Sequence, residues 1–172
     1  KKMFGTDELC SLRWDPVSAK VEVIDQTLLP HTLRWCHLDS LEAFCHAIST
    51  MQVRGAPLIG VTAAFGLAHA LSEDASDDNL AGAAATLLAT RPTAVNLRWA
   101  LEEISSAVRN LPPSERASAA LDKARALREE DIAHCERIGD NGLQLLRTLE
   151  AGDGLNIMTH CNAGWLAAIQ WG

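Results

Sequence analysis

The sequence predicts an α+β chain: a small antiparallel N-terminal sheet, then a helical domain, then the first strand-turn-helix of a truncated Rossmann-like α/β domain. Three observations predict it. Lys20 to Ile24 alternates polar and apolar residues, the period of a half-buried strand. From Leu41 to about Glu150 apolar residues recur at helical spacing. Beyond the loop Ala151-Gly152-Asp153-Gly154, the apolar run Leu155 to Thr159 enters a glycine-containing turn, which is how an α/β layer begins.

The elements follow in order. Leu12 to Trp14 is short and apolar, and Asp15-Pro16 is a turn signal. Lys20 to Ile24 is the second strand, and Thr32 to Leu38, after Leu29-Pro30, is the third. Asp39 with Glu42 makes a capping-box pattern, and Leu41, Phe44, Cys45, Ile48 and Met51 share one helical face. A second helix begins at Pro57, where a missing N–H costs nothing. It is crowded with Gly60, Ala63, Ala64, Gly66, Ala68 and Ala70, which permit close packing. Asp78 to Ala89 and Ala94 to Val108 form two more helices around Thr90-Arg91-Pro92, with Thr93 as a cap. Leu111-Pro112-Pro113 is a break. Ser114 then caps a long helical stretch to about Glu150, interrupted or restarted near Gly139 to Gly142. His160 to Gly164 is a tight turn, and a helix starts at Trp165. The division is a sheet-plus-helix domain over 1–113, a long connecting helix or helices over 114–150, and the start of a Rossmann-like catalytic domain over 151–172.

The chain has 172 residues, with 48% hydrophobic and 22% charged, which places it with globular rather than disordered proteins. A net charge of −7 argues against a nucleic-acid partner, which needs a basic face. No stretch reaches the roughly 20 clearly apolar residues of a bilayer span, and no secretory signal pattern opens the chain. The five cysteines are scattered and odd in number, so reduced thiols and a cytoplasmic location are expected. Cys36, His37, Cys45 and His46 match no common zinc spacing, and no metal is expected.

Three segments can carry chemistry. Arg54-Gly55-Ala56-Pro57 sits at a loop-to-helix junction, where small residues admit a ligand and the helix start offers unpaired N–H groups. Arg54 adds a forked contact to a phosphate, or else faces water as an ordinary loop residue. Arg91 precedes a proline at a second junction, where it either contacts an anion or pairs with a surface carboxylate. Cys161 lies at the end of the strand expected over Leu155 to Thr159, where open α/β sheets place ligands. It is a reactive thiol or a small buried apolar residue.

Together, Met51 to Ala68 (MQVRGAPLIGVTAAFGLA), Thr90 to Leu101 (TRPTAVNLRWAL) and Met158 to Ala168 (MTHCNAGWLAA) resemble the methylthioribose-1-phosphate isomerase family, within the initiation-factor-2B-like superfamily. The LRWDP and DQTLLP runs do so too. The resemblance implies an isomerase converting an aldose 1-phosphate to the ketose in methionine salvage. It implies Arg54, Gly55, Ala56 and Arg91 as contacts to a phosphorylated sugar, Cys161 as catalytic, no cofactor, and a homodimer at full length. Family members are roughly twice this length and draw an acid/base aspartate from their later part, so this chain alone is expected to be inactive. A ribose 1,5-bisphosphate isomerase, a non-catalytic regulatory subunit of an initiation-factor exchange complex, and a cysteine amidotransferase stay open as alternatives.

Overall fold

The sheet forms where alternation predicts it. In the computed structural model, which describes residues 10–18, 20–149 and 154–172, β1 (Leu12–Asp15), β2 (Lys20–Ile24) and β3 (Trp35–Leu38) make an antiparallel meander. Leu12 pairs with Val23 and Val21 with Leu38, and all four side chains enter the core. Arg13, Glu22 and His37 face each other on the opposite side, where His37 lies 3.3 Å from Glu22. β3 starts three residues later than expected. The N–H groups of His31 and Thr32 turn back to the Leu28 carbonyl at 3.1 and 3.0 Å and are not free to join a ladder.

Five helices follow. α1 (Leu41–Ser49) begins at Ser40 rather than Asp39, because the Ser40 hydroxyl accepts the Ala43 N–H at 3.2 Å. Met51 leaves the helical face altogether and adopts φ 62°. α2 (Ala56–Glu73) has Pro57 in its first turn and is buried almost all round, as a central helix must be. Its small residues set the spacing to its neighbours. A Cβ on Gly60 would come within 2.9 Å of the Asn96 carbonyl oxygen, and one on Gly66 within 3.0 Å of Phe44.

α3 (Asp77–Thr90) is capped by Ser76. α4 (Val95–Val108) starts at Ala94 with no side-chain cap, so Thr93 does not play the expected part. α5 (Pro113–Thr148) starts from Pro112, which leaves Ser114 inside the first turn rather than capping it. It also runs unbroken through Gly139 to Gly142. Helical glycine costs about 1 kcal/mol against alanine, which weakens a helix without ending it when good formers flank it. Ala120, Ala124 and Leu127 seat the first half of α5 in the core. Ile138, Leu143 and Leu145 on its second half are exposed, as is Leu149 at its C-cap.

Arg116 joins α5 to the other helices. It is only 6% exposed, donates to the carbonyls of Leu111 at 2.9 Å and Ala75 at 3.0 Å, and lies 2.7 Å from Asp77. It thereby satisfies backbone carbonyls in the loops that follow α2 and α4.

The last segment departs from expectation. Residues 155–159 form no strand, and Ile157 and Met158 are exposed. A strand exists only through a paired neighbour, and no described strand runs beside this one. The helix expected from Trp165 is a single 3-10 turn, Trp165–Ala167. It stops because the Ile169 N–H is taken by the Asp131 carboxylate of α5 at 2.8 Å.

Candidate active site

The start of α2 is where the Arg54 loop and the segment that follows Cys161 meet. Gly55 is the N-cap, and its carbonyl accepts the Ile59 N–H at 2.8 Å. Arg54, one residue earlier, is exposed and has no ion-pair partner among the described residues. The segment 165–169 lies directly across Gly55 as a strap. A Cβ there would fall 1.9 Å from the Ala167 carbonyl oxygen and 2.0 Å from its Cα, so only glycine permits the approach.

Four groups hold the strap. The Ser11 N–H donates to the Ile169 carbonyl at 2.9 Å, and the Ser11 hydroxyl donates to the Ala168 carbonyl. Gln26 Nε2 donates to the Leu166 carbonyl at 2.6 Å, and Asp131 holds Ile169 from the other side. Arg91 lies at the entry to α4, the helix that packs on α2 at Gly60. The Ala94 N–H donates to the Arg91 carbonyl at 3.0 Å, and Asn96, two residues on, packs against Gly60. Gly55 and Gly60 are separated by about 7.5 Å along the helix axis.

The side chains themselves are not yet joined. Among the described residues Arg54, Arg91 and Cys161 make no hydrogen bond or ion pair with one another. Arg91 Nη1 and Asn162 Nδ2 are buried donors without an acceptor. Cys161 is exposed, on an irregular loop rather than at a strand end, with φ 63°. The sequence singled out neither Gln26, Ser11 nor Asp131. Gln26 stood within the DQTLLP run, but nothing local marks its contact, because its partner lies 140 residues away. Asp131 sits in a polar helical stretch and gives no signal at all.

Burial pushes the Asp131 carboxyl up from its ordinary value, partly offset by the Ile169 N–H and by His134. A carboxyl raised in the folded state gives stability that is full below its unfolded value, near 3.9, and is lost as pH rises through the folded value. Asp131→Asn keeps an acceptor for Ile169 and removes the charge. Its thermal midpoint at pH 7.5 is expected to equal or exceed that of the parent, with the gap closing near pH 4. A variant less stable at both values would contradict this account.

A cleft of about 520 Å³ opens elsewhere, between the sheet and α1, α2 and α5, lined by Trp14, Val21, Phe44, Phe65 and Leu121 among others. None of the candidate residues borders it. Among the described residues no three His, Cys, Asp or Glu side chains are grouped to hold a metal, and no helix is long and apolar enough to cross a membrane.

Residues 52–170 match the family model described as the initiation factor 2 subunit family. The chain belongs to this family. Within it, the chain is 55% identical to the methylthioribose-1-phosphate isomerase of Dechloromonas aromatica (strain RCB), covering 94% of this chain and 45% of that protein. The enzyme of the same name from Rhodospirillum rubrum is 52% identical over 88% of this chain and 41% of its own. The chain thus spans less than half the length of these relatives. Two solved structures superpose on the chain with a TM-score of 0.80. One is the 5-methylthioribose 1-phosphate isomerase of Pyrococcus horikoshii OT3, 33% identical, covering 99% of this chain and 49% of that one. The other is the translation initiation factor eIF-2B subunit delta of A. fulgidus, 36% identical, covering 96% and 48%.

Proposed function

We propose that this chain carries the phosphate-anchoring and cysteine-bearing part of an isomerase that converts 5-methylthioribose 1-phosphate to 5-methylthioribulose 1-phosphate. The observation that carries the reading is the seating of the strap that follows Cys161 directly on Gly55, one residue after Arg54. In this reading the phosphate sits at the N-terminus of α2, against the Gly55 and Ala56 backbone and the Arg54 guanidinium. Arg91 supplies a second cation. Its buried, acceptor-free Nη1 supports that role, since an anion would satisfy it.

The substrate explains why such anchoring matters. Phosphate on the anomeric oxygen blocks ring opening to a free aldehyde, so hydrogen moves between C2 and C1 only during or after an assisted opening. A phosphate held rigidly fixes those carbons relative to Cys161, and orientation of this kind lowers the barrier substantially. Cys161 supports the transition state. The acid/base aspartate is drawn from outside this chain. The proposal includes a cytoplasmic homodimer that needs no nucleic acid and no cofactor. It also includes the division at 1–113, 114–150 and 151–172.

A chimera tests the reading. Residues 10–170 replace the matching portion of the Dechloromonas enzyme, and conversion of methylthioribose 1-phosphate is measured. Turnover is expected, with a loss of about 10²-fold or more in the Cys161→Ser chimera. A folded chimera that turns over the substrate equally well with serine at 161 overturns the assignment of Cys161. The equal TM-score with the eIF-2B subunit supports a second reading, a non-catalytic regulatory subunit. A folded chimera that binds the sugar phosphate without converting it favours that one, and conversion of ribose 1,5-bisphosphate in its place favours the related isomerase.

A further inference from the structure

The DQTLLP run has no role in the reaction as drawn, yet it lies at the base of the site. β2 ends at Ile24, and Asp25 caps a single 3-10 turn, Gln26–Leu28. This places Gln26 between the two segments that carry the candidate chemistry. Its backbone N–H donates to the Gln52 carbonyl at 3.0 Å, two residues before Arg54. Its side-chain Nε2 donates to the Leu166 carbonyl at 2.6 Å, one residue before the Ala167 that lies on Gly55.

The side chain is 4% exposed, and its Oε1 is buried with no donor. The Leu166 carbonyl can only accept, so it fixes which end of the amide faces it and leaves Oε1 the unsatisfied end. A buried polar group held with half its capacity unused is a poor way to fill a core, and the group calls for an explanation. A side-chain amide that ties the turn to a segment 140 residues away supplies one.

We propose that Gln26 is a positioning residue, a clasp that fixes the strap following Cys161 against the Arg54–Ala56 loop and so sets the separation of thiol and phosphate anchor. It touches no substrate; its side chain acts through Leu166, while its backbone N–H ties the turn to Gln52. The catalytic meaning of the clasp rests on the isomerase reading, whereas its mechanical action does not.

Gln26→Glu tests it on the 172-residue chain, because the substitution keeps the shape and changes one proton. As a carboxylate it puts an acceptor against the Leu166 carbonyl and the clasp opens. As a neutral acid it regains a donor and the clasp closes. The charged and titratable groups on the elements around it are Asp25 and Arg34 beside the turn, Arg54 on the adjoining loop, His160 and Cys161 on the loop that precedes the strap, and Asp131 on α5. These are common to parent and variant, so the ratio of the two isolates position 26.

The measurement is hydrogen-exchange protection of the Ala167 and Ala168 amides between pH 5 and 8, with amides in the middle of α4 as reference. In the variant, protection of the strap is expected to fall at least tenfold near pH 8 and to recover toward the parent as pH falls, while α4 stays unchanged. Gln26→Met, which has no donor at any pH, is expected to show the loss without the recovery. Protection equal to the parent throughout overturns the clasp. So does a loss spread evenly into α4, which would make Gln26 an ordinary core residue. The chimera separates the two claims. If the folded chimera with the parent Gln26 fails to convert methylthioribose 1-phosphate, the isomerase reading falls, and exchange still decides the clasp.

Discussion

Gly55→Ala detaches the strap from α2 and lowers the unfolding free energy by about 2–4 kcal/mol, as read from urea denaturation. The new methyl would stand 1.9 Å from a backbone carbonyl oxygen, and backbone cannot swing aside as a flexible side chain can. One of two structures must give way. If the strap lifts, Ile169, now fully buried, loses its cover, and burial of such a side chain is worth about 1.5–3 kcal/mol. The bonds from Ser11, Gln26 and Asp131 go with it. If α2 shifts instead, overpacking costs about 1–3 kcal/mol and spreads to the Asn96 contact at Gly60. Limited proteolysis separates the outcomes, since a lifted strap is cut after Trp165 while the helices persist. Gly82→Ala is the control. It lies on exposed α3 with open space around it, and alanine there should add about 0.5–1 kcal/mol. A Gly55 variant as stable as the parent would mean that strap and helix do not meet in solution.

Asp25→Ala should cost about 2–3 kcal/mol at pH 7, with the cost shrinking in acid. Asp25 is 1% exposed and accepts from the Thr27 N–H at 3.1 Å, the Thr27 hydroxyl at 2.5 Å and Arg34 at 2.7 Å. Burial pushes its carboxyl up, but the hydrogen bonds from Thr27 and Arg34 outweigh burial and hold it below the ordinary value. The Arg34 side chain is 57% exposed, so the ion pair itself contributes little. The cost arises from leaving the turn's donors without an acceptor. A carboxyl lowered in the folded state stabilises above its unfolded value, near 3.9, and that contribution is lost as pH falls through the folded value. Asp25 therefore acts opposite to Asp131, and the paired variants should bend the acid branch of the stability curve in opposite directions. Denaturation midpoints at pH 3 and pH 7 check this. A cost unchanged between the two would contradict the charged role of Asp25.

The sheet and the helices were legible because each is written in a local period. Val21 and Val23 alternate with Lys20 and Glu22, and Phe44, Ala47 and Ile48 recur on one face of α1. Helix ends were less legible. Asp39 and Ser40 both cap well in principle, and only the geometry of the chain leaving β3 decides for serine. The strand expected over 155–159 failed for a different reason, since apolar content does not create a pairing partner. At the site, Arg54 to Ala56 could be read as a loop-to-helix junction from composition. That the strap lies on Gly55 could not, because the contact joins residues more than a hundred positions apart. Gln26 was illegible for the same reason, and Asp131 because its partner lies 38 positions away and nothing local marks it.

Cys161 holds a backbone conformation, φ 63°, that a side chain with a Cβ enters at a cost of roughly 1–2 kcal/mol. Met51, three residues before Arg54, does the same. Selection for folding alone would replace both with glycine or asparagine. Glycine at position 161 is therefore expected to raise the thermal midpoint, and a library of variants ranked by thermal endurance alone would discard the cysteine there.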